Sequence, residues 1–318
     1  MKKTKVFNEA ASLQHNARGL SNWTYFKRNH ALYVLLAPAV LYFLIFKYIP
    51  MVGLVFAFQD YNIFDGVFAS EWVGFKWFEQ FFTMPQSRRV LGNTLIINLY
   101  QLFFTFPAPI ILACLLNELR HVIFKRIVQT VAYLPHFFSW TIIYGIAFML
   151  LSTKGVVNQA VIGMGGEAIP FLQKPELFRS IIISSQMWKE TGWSAIIFLA
   201  ALSGISPSLY EAAQIDGAGR WQQFMNITLP GLMPAIMIVF LLNIGNIMDL
   251  GFEHIWVFLN PLTYATGDVL ETFTYRVGIG QGMYSFTTAI GLFKSLIGLI
   301  MVVLANTMSK RLTGESIY

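Results

Sequence analysis

The chain has 318 residues, 56% of them hydrophobic and only 12% charged, with a net charge of +6 and a mean hydropathy of +0.57. Soluble domains carry about a quarter charged residues, so this composition excludes one and reads as an integral membrane protein. A single cysteine, Cys114, excludes an intrachain disulfide, and five histidines (His15, His30, His121, His136, His254) lack ligand spacing, so no metal site is expected.

Residues 1–30 form a polar arm that ends in Trp23-Thr24-Tyr25-Phe26-Lys27-Arg28, aromatics beside cations, as a helix in the headgroup layer would have. No small-residue cleavage site follows the first apolar run, which is therefore read as a retained span. Six apolar stretches reach the length of about 20 residues that a bilayer requires. They lie near 31–57, 91–117, 128–151, 179–203, 231–251 and 285–308. Barrel-type alternation is absent, so the expected fold is an all-α bundle of six transmembrane helices. The predicted layout is an arm over 1–30, a membrane domain over 31–308 and a tail over 309–318. Lys2, Lys3, Lys5, Arg18, Lys27 and Arg28 precede the first span, so the positive-inside rule places the N-terminus in the cytoplasm, and six spans return the C-terminus to the same side. Segments near 58–90, 152–178 and 252–284 face the other side on that count.

Between the fourth and fifth spans the sequence turns polar over about 205–230. Ser208-x-x-Glu211 fits a capping box and Pro207 suits a first helical turn. Leu209, Ala212 and Ala213 share one helical face, and Gly217 and Gly219 offer positive φ for a sharp turn. A second helix is expected from about Arg220 to Thr228, presenting Trp221, Phe224 and Met225, with Pro230 starting the next span. Taken alone, these features describe an amphipathic interfacial hairpin. The spacing adds more: Glu211-Ala212-Ala213, three residues, Gly217, nine residues, then Ile227-x-Leu229-Pro230.

That pattern resembles the signature of the permease subunits of binding-protein-dependent ABC importers, with every specified position present. Phe124-Lys125-Arg126-Ile127-Val128-Gln129, Tyr133-Leu134-Pro135-His136-Phe137, Trp188-Lys189-Glu190-Thr191-Gly192-Trp193 and Gly291-Leu292-Phe293-Lys294-Ser295 extend the resemblance over nearly the whole chain. They are similar to the oligosaccharide and polysaccharide branch, including the first permease subunits of alginate-oligosaccharide importers. The resemblance implies a type I permease fold in the bacterial inner membrane and a non-catalytic role. It implies a second permease subunit, two ATPase subunits that bind ATP and Mg, and an extracytoplasmic solute-binding protein that delivers sugar. It also implies that Glu211, Ala212, Ala213, Asp216, Gly217, Ile227, Leu229 and Pro230 form the segment docked on the ATPase. Glu211 is the candidate for a charge-assisted contact there.

The chain has no phosphate-binding loop; Gly291–Ser295 imitates one only inside an apolar span, where helix hydrogen bonds occupy the amides. No catalytic constellation is present. Lys189, Glu190, Asp249 and Lys294 fall within spans, where charges must face the bundle interior or water. With Trp188, Trp193, Asn243 and Asn246 they are candidates for a sugar pathway, and a cationic lining would suit a polyuronate. The competing reading is a structural ion-pair network joining spans four, five and six. An ion-driven carrier using Asp249 and Glu190, or a membrane enzyme or assembly subunit, are the alternatives in other classes.

Overall fold

The computed structural model describes residue 27 and residues 29–313; most of the N-terminal arm and the end of the tail lie outside the described residues. The chain divides into two units, residues 1–55 and 56–318. In the first, helix α1 (His30–Phe58, the end of which enters the second unit) buries none of its His30–Phe43 side chains within the chain. An apolar helix with that exposure suits a bilayer span.

The second unit opens with a two-stranded antiparallel ribbon, Gln59–Asp60 against Glu71–Trp72. Helices then follow almost without interruption: α2 (Lys76–Thr83), α3 (Pro85–Glu118), α4 (Val122–Tyr133), α5 (Trp140–Leu151), α6 (Val156–Gly163) and α7 (Pro175–Ser203). After them come α8 (Pro207–Ile215), α9 (Arg220–Gly245), α10 (Phe252–Phe258), α11 (Leu270–Gln281) and α12 (Tyr284–Thr313). Among the described residues five helical segments are long and apolar enough to span a membrane, or six if the pair α7 and α8, bent by 67°, counts as one span.

The 29-residue α7 is the central strut and packs on α3, α4 and α9. Ala113, Ala195, Phe198, Leu202 and Leu232 form the core between α3, α7 and α9. Ile97, Ile143, Ile182, Ile255 and Phe258 form a second core, and Trp77, Phe81, Leu270, Phe273 and Phe286 a third. Gly192 lets α7 touch α4, because a Cβ there would run into the Ala132 carbonyl. Outside the spans, Arg276 makes a bidentate pair with Asp268 at 2.6 and 3.2 Å and lies 4.6 Å from the Tyr264 ring.

Three expectations need correction. The stretch 128–151 is not one helix: α4 ends at Tyr133, a 3₁₀ turn carries Pro135, and α5 starts at Trp140 with Ser139 as its N-cap. Pro135 supplies no amide and disfavours helix in the residue before it, which separates the two pieces. The stretch 231–251 ends as helix at Gly245, so Asp249 sits in the turn beyond it rather than within a span. Pro230 does not begin a new span either, since α9 runs through it from Arg220.

The means of that continuity recurs. Leu44–Tyr48, Gln101–Thr105 and Phe224–Thr228 are π-helical turns, each followed by one residue and then a proline: Pro50, Pro107 and Pro230. Ile49, Phe106 and Leu229 donate to the carbonyl five residues back. Proline lacks an N–H and its ring crowds the carbonyl four residues earlier. Widening the preceding turn relieves the crowding without ending the helix.

Candidate functional site

Two features of the second unit are candidates for function: the segment 205–230 and a polar cleft among α3, α7 and α9.

In the segment, Pro207 occupies the first helical position of α8 as expected, but the capping box does not form. Ser206 is the N-cap residue, and the Ser208 hydroxyl lies 2.8 Å from that of Ser206 instead of capping an amide. At the other end Gly217 adopts φ +76°, with the Ala218 amide donating to Ala213 and the Gly217 amide to Gln214. This is a Schellman termination, which needs the left-handed conformation that glycine supplies without a Cβ penalty. Gly219 has φ −69°, so the positive φ expected of it is absent; it leads into α9 with its amide donating to the Gln222 side chain at 2.8 Å. The Tyr210 and Thr228 hydroxyls, 3.0 Å apart, tie α8 to the start of α9. Local bonds thus fix the whole turn.

Glu211, Ala212, Asp216, Gly217 and Pro230 are exposed, while Ala213, Ile227 and Leu229 are half-buried. Ile215 is 87% exposed and Trp221 69%, with Leu209 also outward. The outer face of this helical corner thus sets bare apolar side chains beside a carboxylate.

The cleft has two lobes of about 250 and 300 Å³ that share Asn98, Gln101, Gln186, Glu190 and Asn243. Gln101 donates to Gln186 at 2.5 Å across α3 and α7. Asn246, Asp249, Trp140 and His254 line the lobe beyond. His254, outside the spans, is 1% exposed, stacks on Trp140 at 3.7 Å and lies 3.0 Å from the Ser185 hydroxyl. Burial, reinforced by the Lys189 charge, pushes its pKa down to about 3, so the ring is neutral at physiological pH.

The candidate pathway residues separate. Glu190, Asn243, Asn246 and Asp249 meet in the cleft. Lys189 does not line it: this buried side chain donates to the His136 and Phe138 carbonyls at 2.5 and 2.7 Å, with Glu190 3.9 Å away. Trp193 stacks on His136 at 4.5 Å, and Trp188 lines an apolar groove against α5. Lys294 lies in an adjoining groove, 2.6 Å from Glu271 and 3.7 Å from Asp249. The lysines therefore make contacts of the structural-network kind and leave the cleft lining without cations.

Gln101 and Gln186, missed in the sequence, are central to the cleft. Gln186 lies one turn before Glu190 on the same face of α7, a signal the spacing did contain. Gln101 is brought into line by the π turn ahead of Pro107, for which the sequence offered no reading. His136, partner of Glu190 at 2.9 Å, also went unselected.

A bundle of this kind, with a rigid exposed corner and an internal polar cleft, defines a membrane transport permease. The chain belongs to the family of binding-protein-dependent transport system inner membrane components, whose model matches residues 105–314. Its fold is that of a type I ABC importer permease. It is 45% identical over 302 residues to Protein LplB of Bacillus subtilis (strain 168), covering 95% of both chains. It is 46% identical over 288 residues to the polygalacturonan/rhamnogalacturonan transport system permease protein YteP of the same organism, covering 90% of each. A chain of the crystal structure of a bacterial alginate ABC transporter, in complex with an alginate pentasaccharide-bound periplasmic protein, matches with a TM-score of 0.87 at 41% identity. That match covers 93% of this chain and 99% of the other.

Proposed function

We propose that this chain forms one half of the translocation pathway of an ATP-driven oligosaccharide importer, with an alginate-derived or related uronate-bearing oligosaccharide as substrate. In this reading a second permease completes the pathway, and two ATPase subunits bind ATP and Mg. A solute-binding protein delivers sugar to the face formed by 58–90, 152–178 and 252–284. Both termini are cytoplasmic, on the same side as the 205–230 segment. The observation that carries the reading is that segment: a self-bonded helical corner with Glu211, Ile215 and Trp221 outward, joined directly to α9. The names of the similar proteins, two of which concern acidic polysaccharides, support the sugar class.

Mechanistically, closure of the ATPase dimer moves the corner as a unit, and α7 and α9 tilt with it because both adjoin it without a flexible linker. The cleft between α3, α7 and α9 opens and closes as they tilt. Coupling demands that the two nucleotide states grip the corner differently. An ion-driven carrier has no use for such a corner.

The test is substrate-stimulated ATPase activity of the reconstituted complex. Glu211→Ala removes a charge-assisted contact, worth about 1.5–3 kcal/mol. Gly217→Val forces a β-branched residue into φ +76°. Both variants are expected to insert normally and lose stimulation; wild-type stimulation in both overturns the coupling role.

A further inference from the structure

The cleft carries a chemical bias that follows from the charges on its lining. Asn98, Asn243 and Asn246 each donate one side-chain N–H to the backbone carbonyl four residues earlier, at 2.8, 2.8 and 3.0 Å. Gln101 donates to the Gln186 carbonyl oxygen. Each of these amides keeps a second N–H and its carbonyl oxygen, so the lining offers neutral donors and acceptors together. Glu190 and Asp249 add carboxylates, which when ionised act solely as acceptors. Among the described residues no Lys or Arg lines either lobe. The nearby cations are held outside the lobes: Lys189 by backbone carbonyls, and Lys294, in the adjoining groove, by Glu271 and Asp249. His136 holds Glu190 at 2.9 Å from the α4–α5 turn, fixing the carboxylate in place.

We infer that this chain's half of the cleft is a selectivity surface for uncharged, hydroxyl-bearing sugar faces, with Glu190 and Asp249 as its specificity-determining residues. Sugar hydroxyls, which both donate and accept, match a lining of neutral amides and carboxylates. A uronate carboxylate brought against it meets two like charges and no lining Lys or Arg. A uronate-bearing chain therefore passes with its hydroxyl edge on this subunit and its carboxylates turned away, toward the half built by the second permease. This reverses the expectation that cations from this chain greet a polyuronate. The neutrality of buried His254 agrees with it, since that ring adds no positive charge to the lobe. The inference rests on the reading of the cleft as the sugar pathway.

Two probes separate charge from shape: alginate pentasaccharide, and the same oligosaccharide with its carboxyl groups chemically reduced to alcohols. Each is measured for uptake by the complete reconstituted complex, and for direct binding to the detergent-purified, nucleotide-free complex by equilibrium dialysis. Selection by the binding protein is common to wild type and variants, so it cancels in their ratio. Glu190→Gln and Asp249→Asn each remove one charge and keep the shape. Each should raise the uronate-to-reduced ratio about tenfold, as loss of a like charge at close range in a partly wet site does. An unchanged or lowered ratio in both variants, by either measurement, overturns the inference. Asn243→Trp fills the cleft and tests the underlying reading separately. Loss of both probes with an unchanged ratio in the carboxylate variants defeats the specificity alone. Undiminished uptake and binding of both probes in Asn243→Trp defeats the cleft as the pathway, and the inference with it.

Discussion

Lys189 keeps 8% of its side chain exposed and gives two of its N–H donors to the carbonyls of His136 and Phe138. Those carbonyls lie in and just after the 3₁₀ turn that separates α4 from α5, where Pro135 has removed a helix donor. The cation therefore closes a gap in the backbone ladder. Gly192, three residues on, admits the Ala132 carbonyl where any Cβ would collide. Together they dock α7 on the broken helix. Lys189→Met should leave each carbonyl unpaired at a cost of about 1–3 kcal/mol. The expected result is a lower thermal midpoint of the purified complex, and Gly192→Ala should do the same. An unchanged midpoint in Lys189→Met contradicts the structural role. The sequence marked Lys189 as a charge needing an interior partner, and that was legible. Its partners are carbonyls 51 and 53 residues earlier, and no local pattern announces such contacts.

The helices themselves followed hydrophobic length well, because apolar runs must cover a bilayer's thickness. What length does not encode is the response to proline. Pro50, Pro107 and Pro230 are each accommodated by a π turn, while Pro38 and Pro234 sit inside regular helix and Pro135 helps to split one. The choice depends on neighbouring side chains in three dimensions, so chain punctuation alone misplaced the third and fifth spans. The corner at 205–230 was more readable. Its Gly217 termination is set by nearby residues, whereas the expected cap at Ser208 yielded to Ser206 two positions earlier. Each π turn inserts one residue, an offset of about 100° between the two halves of the helix. Pro107→Ala restores the missing donor and lets the Gln101–Thr105 turn close to a regular helix. In a Cys114→Ala background, cysteines at 101 and 186 should cross-link readily with Pro107 in place and poorly with Pro107→Ala. Equal yields contradict a proline-imposed register.

At the scale of the molecule, most of the buried apolar residues among those described lie in three clusters, and large apolar areas stay outward on α1, α4 and α12. For a bilayer protein that surface meets lipid or a partner chain, as expected of one permease in a larger assembly. The family and the helical count were within reach of the sequence because the corner motif has fixed spacing. The cleft was half legible: Glu190, Asn243, Asn246 and Asp249 were selected by polarity, but their convergence depends on how α3, α7 and α9 cross. The central claim is that this chain is half of a pathway driven by ATP on separate subunits. Its most direct measurement is oligosaccharide uptake into proteoliposomes holding the complex purified through a tag on this chain. The account predicts co-purification of an ATPase and a second permease, with uptake that requires ATP and the binding protein and persists when ion gradients are collapsed. Uptake that proceeds without ATP and stops when the ion gradients are collapsed would contradict it.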